Sequence, residues 1–209
     1  MYNWPHRKKL RQENWNYSQN GFYFVTICCY KNQCFFWEII NWKMVLNEYG
    51  ELVKNEILET EKIRKEIKID SFIIMPNHIH LIIVIDSNKI WITSSVRMHS
   101  HTTKLEETFK NQIISTKVFD VRWALWLKWN NLSSIIRGIK SSITRQIRQK
   151  HNDYIFAWQK SFYDVIIKTD DQLTKSRQYI LQNPKKWDLD MNNPANEERV
   201  KQLRKQGKR

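Results

Sequence analysis

The sequence predicts an α+β sandwich, an antiparallel sheet with helices packed on it, and three observations point to it. Residues 71–85 hold two apolar runs rich in Ile and Val on either side of Pro76-Asn77, the punctuation of two short buried strands joined by a tight turn. Residues 21–30 are β-branched and aromatic almost throughout and read as a central strand. Between and after these lie stretches whose apolar residues recur at helical spacing.

At 209 residues the chain suits a single domain, long enough for a sizeable core. A formal charge of +14 and a pI near 9.7 point to a polyanionic partner, for which nucleic acid is the default. A membrane partner is not expected, since the sequence has neither a lipidation signal nor an apolar run of spanning length. The N-terminus is basic without the apolar segment of a secretory signal, which predicts a cytoplasmic protein. Cys28, Cys29 and Cys34 are odd in number and lack metal-pair spacing, so they read as reduced, packed thiols.

In chain order, residues 1–20 form a basic arm carrying Arg7, Lys8, Lys9 and Arg11, which suits contact with nucleic acid as well as a solvated tail. After the strand at 21–30, residues 36–67 predict a helix. Trp42, Val45, Leu46 and Tyr49 make one apolar stripe, Asn47 to Gly50 interrupt it, and Val53, Ile57 and Leu58 resume it. Residues 87–131 are polar and poorly periodic and read as an insertion. A second His-x-His there, at His99 and His101, lacks a strand pattern and is not read as a metal site. From Leu132 a helix capped by Asn131 or Ser133 repeats Ile135, Ile139, Ile143 and Ile147. Its other faces carry Arg137, Lys140, Arg145 and Arg148 among hydroxyls, a pattern suited to phosphate.

Residues 154–168 predict a strand pair or a strand with a turn. Trp158, Phe162 and Tyr163 read as core aromatics, with base stacking the second role open to one of them. Asp170 or Asp171 caps a last helix that ends near Asn183, because Pro184 disfavours helix at the residue before it. The residues beyond, including a basic polar tail at 188–209, show no core of their own.

The candidate chemistry lies on the second of the two joined strands. His78 and His80 share one face while Ile79 faces a core, so two imidazoles stand roughly 6 to 7 Å apart by strand rise, close enough to share one divalent ion. Paired histidines also occur on ordinary strand surfaces, but few strands set two polar rings in so apolar a run without a partner. On the last helix Tyr179 and Asn183 are i and i+4, neighbours on one face. Alone they are a packed aromatic and a cap; beside the histidines they supply a nucleophile and a third metal ligand.

Taken together, Met75-Pro76-Asn77-His78-Ile79-His80, Gly138-Ile139-Lys140-Ser141, Trp158-Gln159, Phe162-Tyr163-Asp164 and Tyr179-Ile180-Leu181-Gln182-Asn183-Pro184 resemble the single-tyrosine HUH transposases of insertion sequences, in particular the REP-associated tyrosine transposases. The resemblance spans about residues 21–187 apart from the insertion. It implies a ferredoxin-like sandwich, a single-stranded or hairpin DNA substrate, and cleavage and strand transfer through a covalent 5′-phosphotyrosine. Carried onto this chain, His78 and His80 match the metal ligands, Tyr179 the nucleophile and Asn183 the polar ligand on the tyrosine helix, with Mg2+ or Mn2+ as the cofactor. The chain acts in this reading as a monomer or homodimer. A non-catalytic nucleic-acid-binding module, or a decayed or domesticated transposase, is the alternative. The insertion, and Val165 where the family pattern has a histidine, keep the latter open. A histidine-triad hydrolase is excluded because Ile82 stands where its third histidine is required.

Overall fold

The structure is a computed structural model that describes residues 11–86 and 131–198. Its elements are β1 (Gly21–Cys28), β2 (Trp37–Ile40), β3 (Lys43–Leu46), α1 (Glu48–Ile63), β4 (Ile67–Ile74), β5 (His78–Ile85), α2 (Leu132–His151), β6 (Tyr163–Ile167) and α3 (Asp170–Gln182). A 3-10 turn, Asn183–Leu189, follows α3. The main sheet has four antiparallel strands in the order β4-β5-β1-β6. With α1 between β1 and β4, and α2 between β5 and β6, this is the strand order of the ferredoxin-like βαββαβ arrangement.

Strand alternation sends each face of the sheet to a different layer. Tyr23, Val25 and Ile27 of β1, with Ile79, Leu81, Ile83 and Ile85 of β5, join Leu52, Val53 and Ile57 of α1 and the isoleucines of α2 in the main core. On the other face, Phe22, Phe24 and Ile82 meet Leu173 and Ile180 of α3. His78 and His80 are in phase with Ile82 and lie on this second face, while Ile79 is fully buried in the main core, as alternation requires. The tyrosine helix therefore covers the histidine face, and α1 and α2 the reverse.

Residues 36–46 depart from the expected helix. Trp37–Ile40 pairs with Lys43–Leu46 as a hairpin, turned by Asn41 and Trp42 at positive φ of 49° and 62°, the left-handed pair a two-residue hairpin loop requires. Helix α1 starts only at Glu48. The Asn47 side chain accepts from the Gly50 amide at 3.0 Å, and Glu48 and Glu51 lie in the first turn, where the helix dipole favours anions. Gly50 is needed for close approach, since a Cβ there meets Leu46 Cδ2 at 2.8 Å. The stripe of Trp42, Val45, Leu46 and Tyr49 mimicked one helix because it runs across this boundary.

The later elements carry smaller differences. Asn131 caps α2, accepting from the Ser134 amide at 2.9 Å. Thr169, one residue before the expected aspartates, caps α3, and Asp170 and Asp171 instead supply the acidic first turn. Residues 154–168 form one strand, β6, plus an isolated bridge that ties Trp158 to Cys29. Phe162 is buried as expected, but Tyr163 is 55% exposed, because odd positions of β6 face away from the main core. All three cysteines are free thiols, Cys28 and Cys29 buried and Cys34 exposed. No helix among the described residues is long and apolar enough to cross a membrane.

Candidate metal and nucleophile site

The turn at Pro76-Asn77 sets the site. Asn77 is fully buried and its amide nitrogen donates to the carbonyls of Asn32 at 2.8 Å and Asn192 at 2.7 Å. Its oxygen therefore faces His78 Nδ1, 2.8 Å away, and as an acceptor it fixes the proton there. His78 Nε2 is left as a bare lone pair aimed at His80 Nε2 at 3.0 Å. Thr26, the register partner of His80 on β1, holds His80 Nδ1 at 2.9 Å. Its hydroxyl donates or accepts, so His80 is free to offer either an Nε2 proton to His78 or a second lone pair to a cation. Two ligands about 2.1 Å from an ion at right angles stand about 3.0 Å apart, the separation observed between these nitrogens.

Burial pushes both imidazoles down to about pKa 3, so each is neutral at physiological pH and has no proton to lose to a cation. A carboxylate completes the cluster. Asp190 Oδ2 lies 3.7 Å from His78 Nε2, and its Oδ1 is occupied by the Asn192 amide at 2.7 Å. One ligand atom from each of His78, His80 and Asp190 falls within a 4.8 Å group. Cys28, opposite His78 in the register, is held as a thiol, its pKa raised to about 12 by burial and then by Asp190.

From the covering helix, the Tyr179 ring sits edge-on to His80 at 5.2 Å and to Phe24 at 5.7 Å, and Phe24 stacks on His80 at 5.3 Å. Burial raises the phenol pKa, a hydrogen bond with the Asn183 side chain lowers it, and the Asp190 charge adds to the rise. The phenol is therefore protonated at neutral pH and needs a nearby positive charge to become a nucleophile. One turn on, Asn183 is buried and its Oδ1 has no hydrogen-bond partner among the described residues. Leaving such an oxygen unmet costs about 1–3 kcal/mol. Two convergent neutral imidazoles and a carboxylate make a donor set that fits a divalent cation, and the segment facing them carries an unmet amide oxygen.

The sequence-derived residues thus divide by place. His78, His80, Tyr179 and Asn183 lie on β5 and the facing α3 segment. Asp190 was not anticipated; Pro184 reads as the end of the last helix and the residues beyond as a tail without a core, whereas the turn at Asn183–Leu189 carries the chain back toward β5, where Asn192 also meets Asn77. Arg137, Arg145 and Arg148 are exposed on α2, behind the sheet from the histidines. Lys140 is turned inward. Its ammonium donates to the carbonyls of Gln159 at 2.6 Å and Lys160 at 3.4 Å, and burial lowers its pKa. Trp158 packs on Phe36 and Phe156 and gives its indole N–H to the Lys140 carbonyl at 3.2 Å. Arg11 lies over the Phe162 ring, 3.7 Å from its centroid, and pairs with Asp164, fastening the arm to β6. Arg7, Lys8, Lys9, His99, His101 and the 87–130 part of the insertion lie outside the described residues.

Over 185 residues the chain is 31% identical to an uncharacterised protein of Haemophilus influenzae (strain Rd), a match covering 88% of this chain and 92% of that one. The chain belongs to the family of that protein. No family model matches it. Among solved structures, a REP-associated tyrosine transposase bound to a REP hairpin aligns with a TM-score of 0.49 and 15% identity, over 84% of this chain and 73% of the other. A candidate transposase from Deinococcus radiodurans R1 aligns with a TM-score of 0.40 and 9% identity, over 82% and 98%.

Proposed function

We propose that the chain is a DNA transposase of the single-tyrosine HUH type, cutting and rejoining single-stranded or hairpin DNA through a 5′-phosphotyrosine on Tyr179. The observation that carries this is the seating of the Tyr179 ring on His80, with the unsatisfied Asn183 oxygen one turn away. A packed aromatic needs no buried orphan oxygen beside it, whereas a nucleophile served by a cation does. His78 and His80, with Asn183 and Asp190, would hold the cation, for which Mg2+ or Mn2+ suits the N and O donors. When bound, it offsets negative charge on the phosphate oxygens in the transition state.

The chain's own groups do the rest. Asn77 and Thr26 lock the two rings, Asn183 positions the phenol, and Phe24 fixes the Tyr179 ring against β1 and β5. As the phenol oxygen bonds to phosphorus, the bond to the 3′ oxygen breaks and that oxygen takes up a proton as the phenol loses one. The 5′ phosphate remains on Tyr179. A 3′ hydroxyl from another strand reverses the step, so joining needs no nucleotide hydrolysis.

The test is denaturing electrophoresis of the protein with labelled hairpin and single-stranded oligonucleotides and Mn2+. A covalent adduct is expected with the wild type and is lost in Tyr179→Phe, which keeps the ring and the fold. An adduct undiminished in Tyr179→Phe, or none from a metal-loaded wild type across a broad library, overturns the proposal.

A further inference from the structure

The histidine face continues past the site into a strip that the mechanism above leaves unused. In the strand register Tyr163 pairs with Thr26, Thr26 with His80, and His80 with Ile73, so one row crosses the sheet through the candidate metal ligand. Directly paired residues project from the same face. Tyr163 therefore stands on the histidine face two strands from His80, about 10 Å at the usual strand spacing. Thr26, which holds His80, stands between them.

Helix α3 covers the Ile167 end of β6 and leaves its Tyr163 end open. Its buried Leu173 and Ile180 meet Ile82, Ile73 and Ile167, and Arg177 Nε donates to Asp70 of β4 at 2.8 Å. Beyond it Tyr163 is 55% exposed and Val165, opposite Phe24, is 61% exposed, both on the edge strand β6. Tyr179 itself is 42% exposed. The Tyr179 ring thus meets Phe24, and the exposed Tyr163 stands on the same face one strand over, diagonal to Phe24 in the register, in a chain of charge +14. Stacking on exposed aromatic rings beside positive charge is how proteins hold single-stranded nucleic acid irrespective of sequence.

We propose that Tyr163 is a positioning residue, the stacking platform for a base that flanks the scissile phosphate of a single-stranded substrate. This rests on the function proposed above. A base laid on the ring would orient the strand across Thr26 so that its next phosphate reaches His80 and Tyr179.

The experiment measures fluorescence anisotropy of a labelled single-stranded oligonucleotide, with Tyr163→Ala, Tyr163→Phe and Tyr163→Trp each made in a Tyr179→Phe chain that cannot form an adduct. Alanine is expected to weaken binding about tenfold or more, while Phe and Trp restore it. Mn2+ affinity by calorimetry is expected to be the same in all three. With Tyr179 intact, Tyr163→Ala should raise KM for adduct formation more than it lowers kcat. An abasic nucleotide at the flanking position should weaken binding to the parent chain and remove the difference between that chain and its Tyr163→Ala variant. Equal affinity for the alanine variant and its parent, or equal loss in all three variants, overturns the platform even where the parent enzyme forms its adduct. A selective loss with alanine in a protein that forms no adduct keeps the platform and removes the nuclease.

Discussion

At the scale of single residues, the candidate site is organised by groups whose needs are met only in part. Asn183 lies one helical turn from Tyr179 with a buried oxygen that nothing described satisfies, a cost with no structural return unless a ligand fills the place. Asn183→Leu is therefore expected to raise the melting temperature without added metal by a few degrees and to abolish the further rise that Mn2+ gives the wild type. A scan with and without Mn2+ checks this; a lower metal-free melting temperature sinks it. The imidazoles give a second test. Both have folded-state pKa values near 3, below the ordinary 6.5, so the unfolded chain binds more protons. Their stability contribution is complete above about pH 6.5 and is lost as pH falls toward 3, with a slope of about 1.4 kcal/mol per pH unit for each site. Denaturant midpoints measured in metal-free buffer from pH 7 to pH 5 should fall less steeply for His80→Gln than for the wild type.

At the scale of elements, the sequence was legible where one period ran without interruption. The strand at 21–30, the two strands joined at Pro76-Asn77 and the isoleucine repeat of α2 come out as read, because alternation and an i, i+4 spacing have no competing explanation over such lengths, although β4 starts at Ile67, four residues earlier than expected. The hairpin at 37–46 was hidden by an apolar stripe shared with α1, and by tryptophan where a turn normally signals glycine. The chain has four glycines in 209 residues, against an average near 7%, so left-handed positions fall to other side chains. Trp37 has φ 103° and Trp42 φ 62°, conformations that cost a bulky residue about 1–3 kcal/mol, while their side chains are 51% and 58% exposed and give little burial in return. Trp37→Gly and Trp42→Gly are each expected to stabilise the fold by about 1 kcal/mol, seen as a melting temperature several degrees higher. An unchanged or lower value for both would show that the indoles contribute packing that their exposure conceals.

At the scale of the molecule, the sheet separates the histidine face from the exposed arginines of α2. The histidine pair could be placed on one face from sequence because strand period fixes it, and the Tyr179–Asn183 pair because helix period does; their meeting depends on which face α3 covers, which no local pattern states. Asp190 was out of reach for the same reason, since its place is set by a turn returning to Asn77. The basic residues of α2 divide likewise. Lys140 bridges α2 to the backbone at 159–160, which no helical wheel reveals, and of the four cations read as phosphate contacts Arg137, Arg145 and Arg148 remain exposed, on the far side from the site. On the proposed function, electrostatic holding and bond breaking are therefore separable. Replacing these three arginines by alanine is expected to weaken binding of single-stranded DNA and to lower the slope of log affinity against log salt by about 0.7 for each phosphate left unneutralised. The amount of phosphotyrosine adduct formed at saturating DNA should stay near the wild-type level, because none of the three reaches the histidine face. Lys140→Ala, by contrast, should lower the melting temperature and leave the salt slope unchanged. A titration series from low to moderate salt measures both, and a salt slope that drops with Lys140→Ala but not with the arginine variant would place the nucleic acid against residues 159–160 rather than along α2.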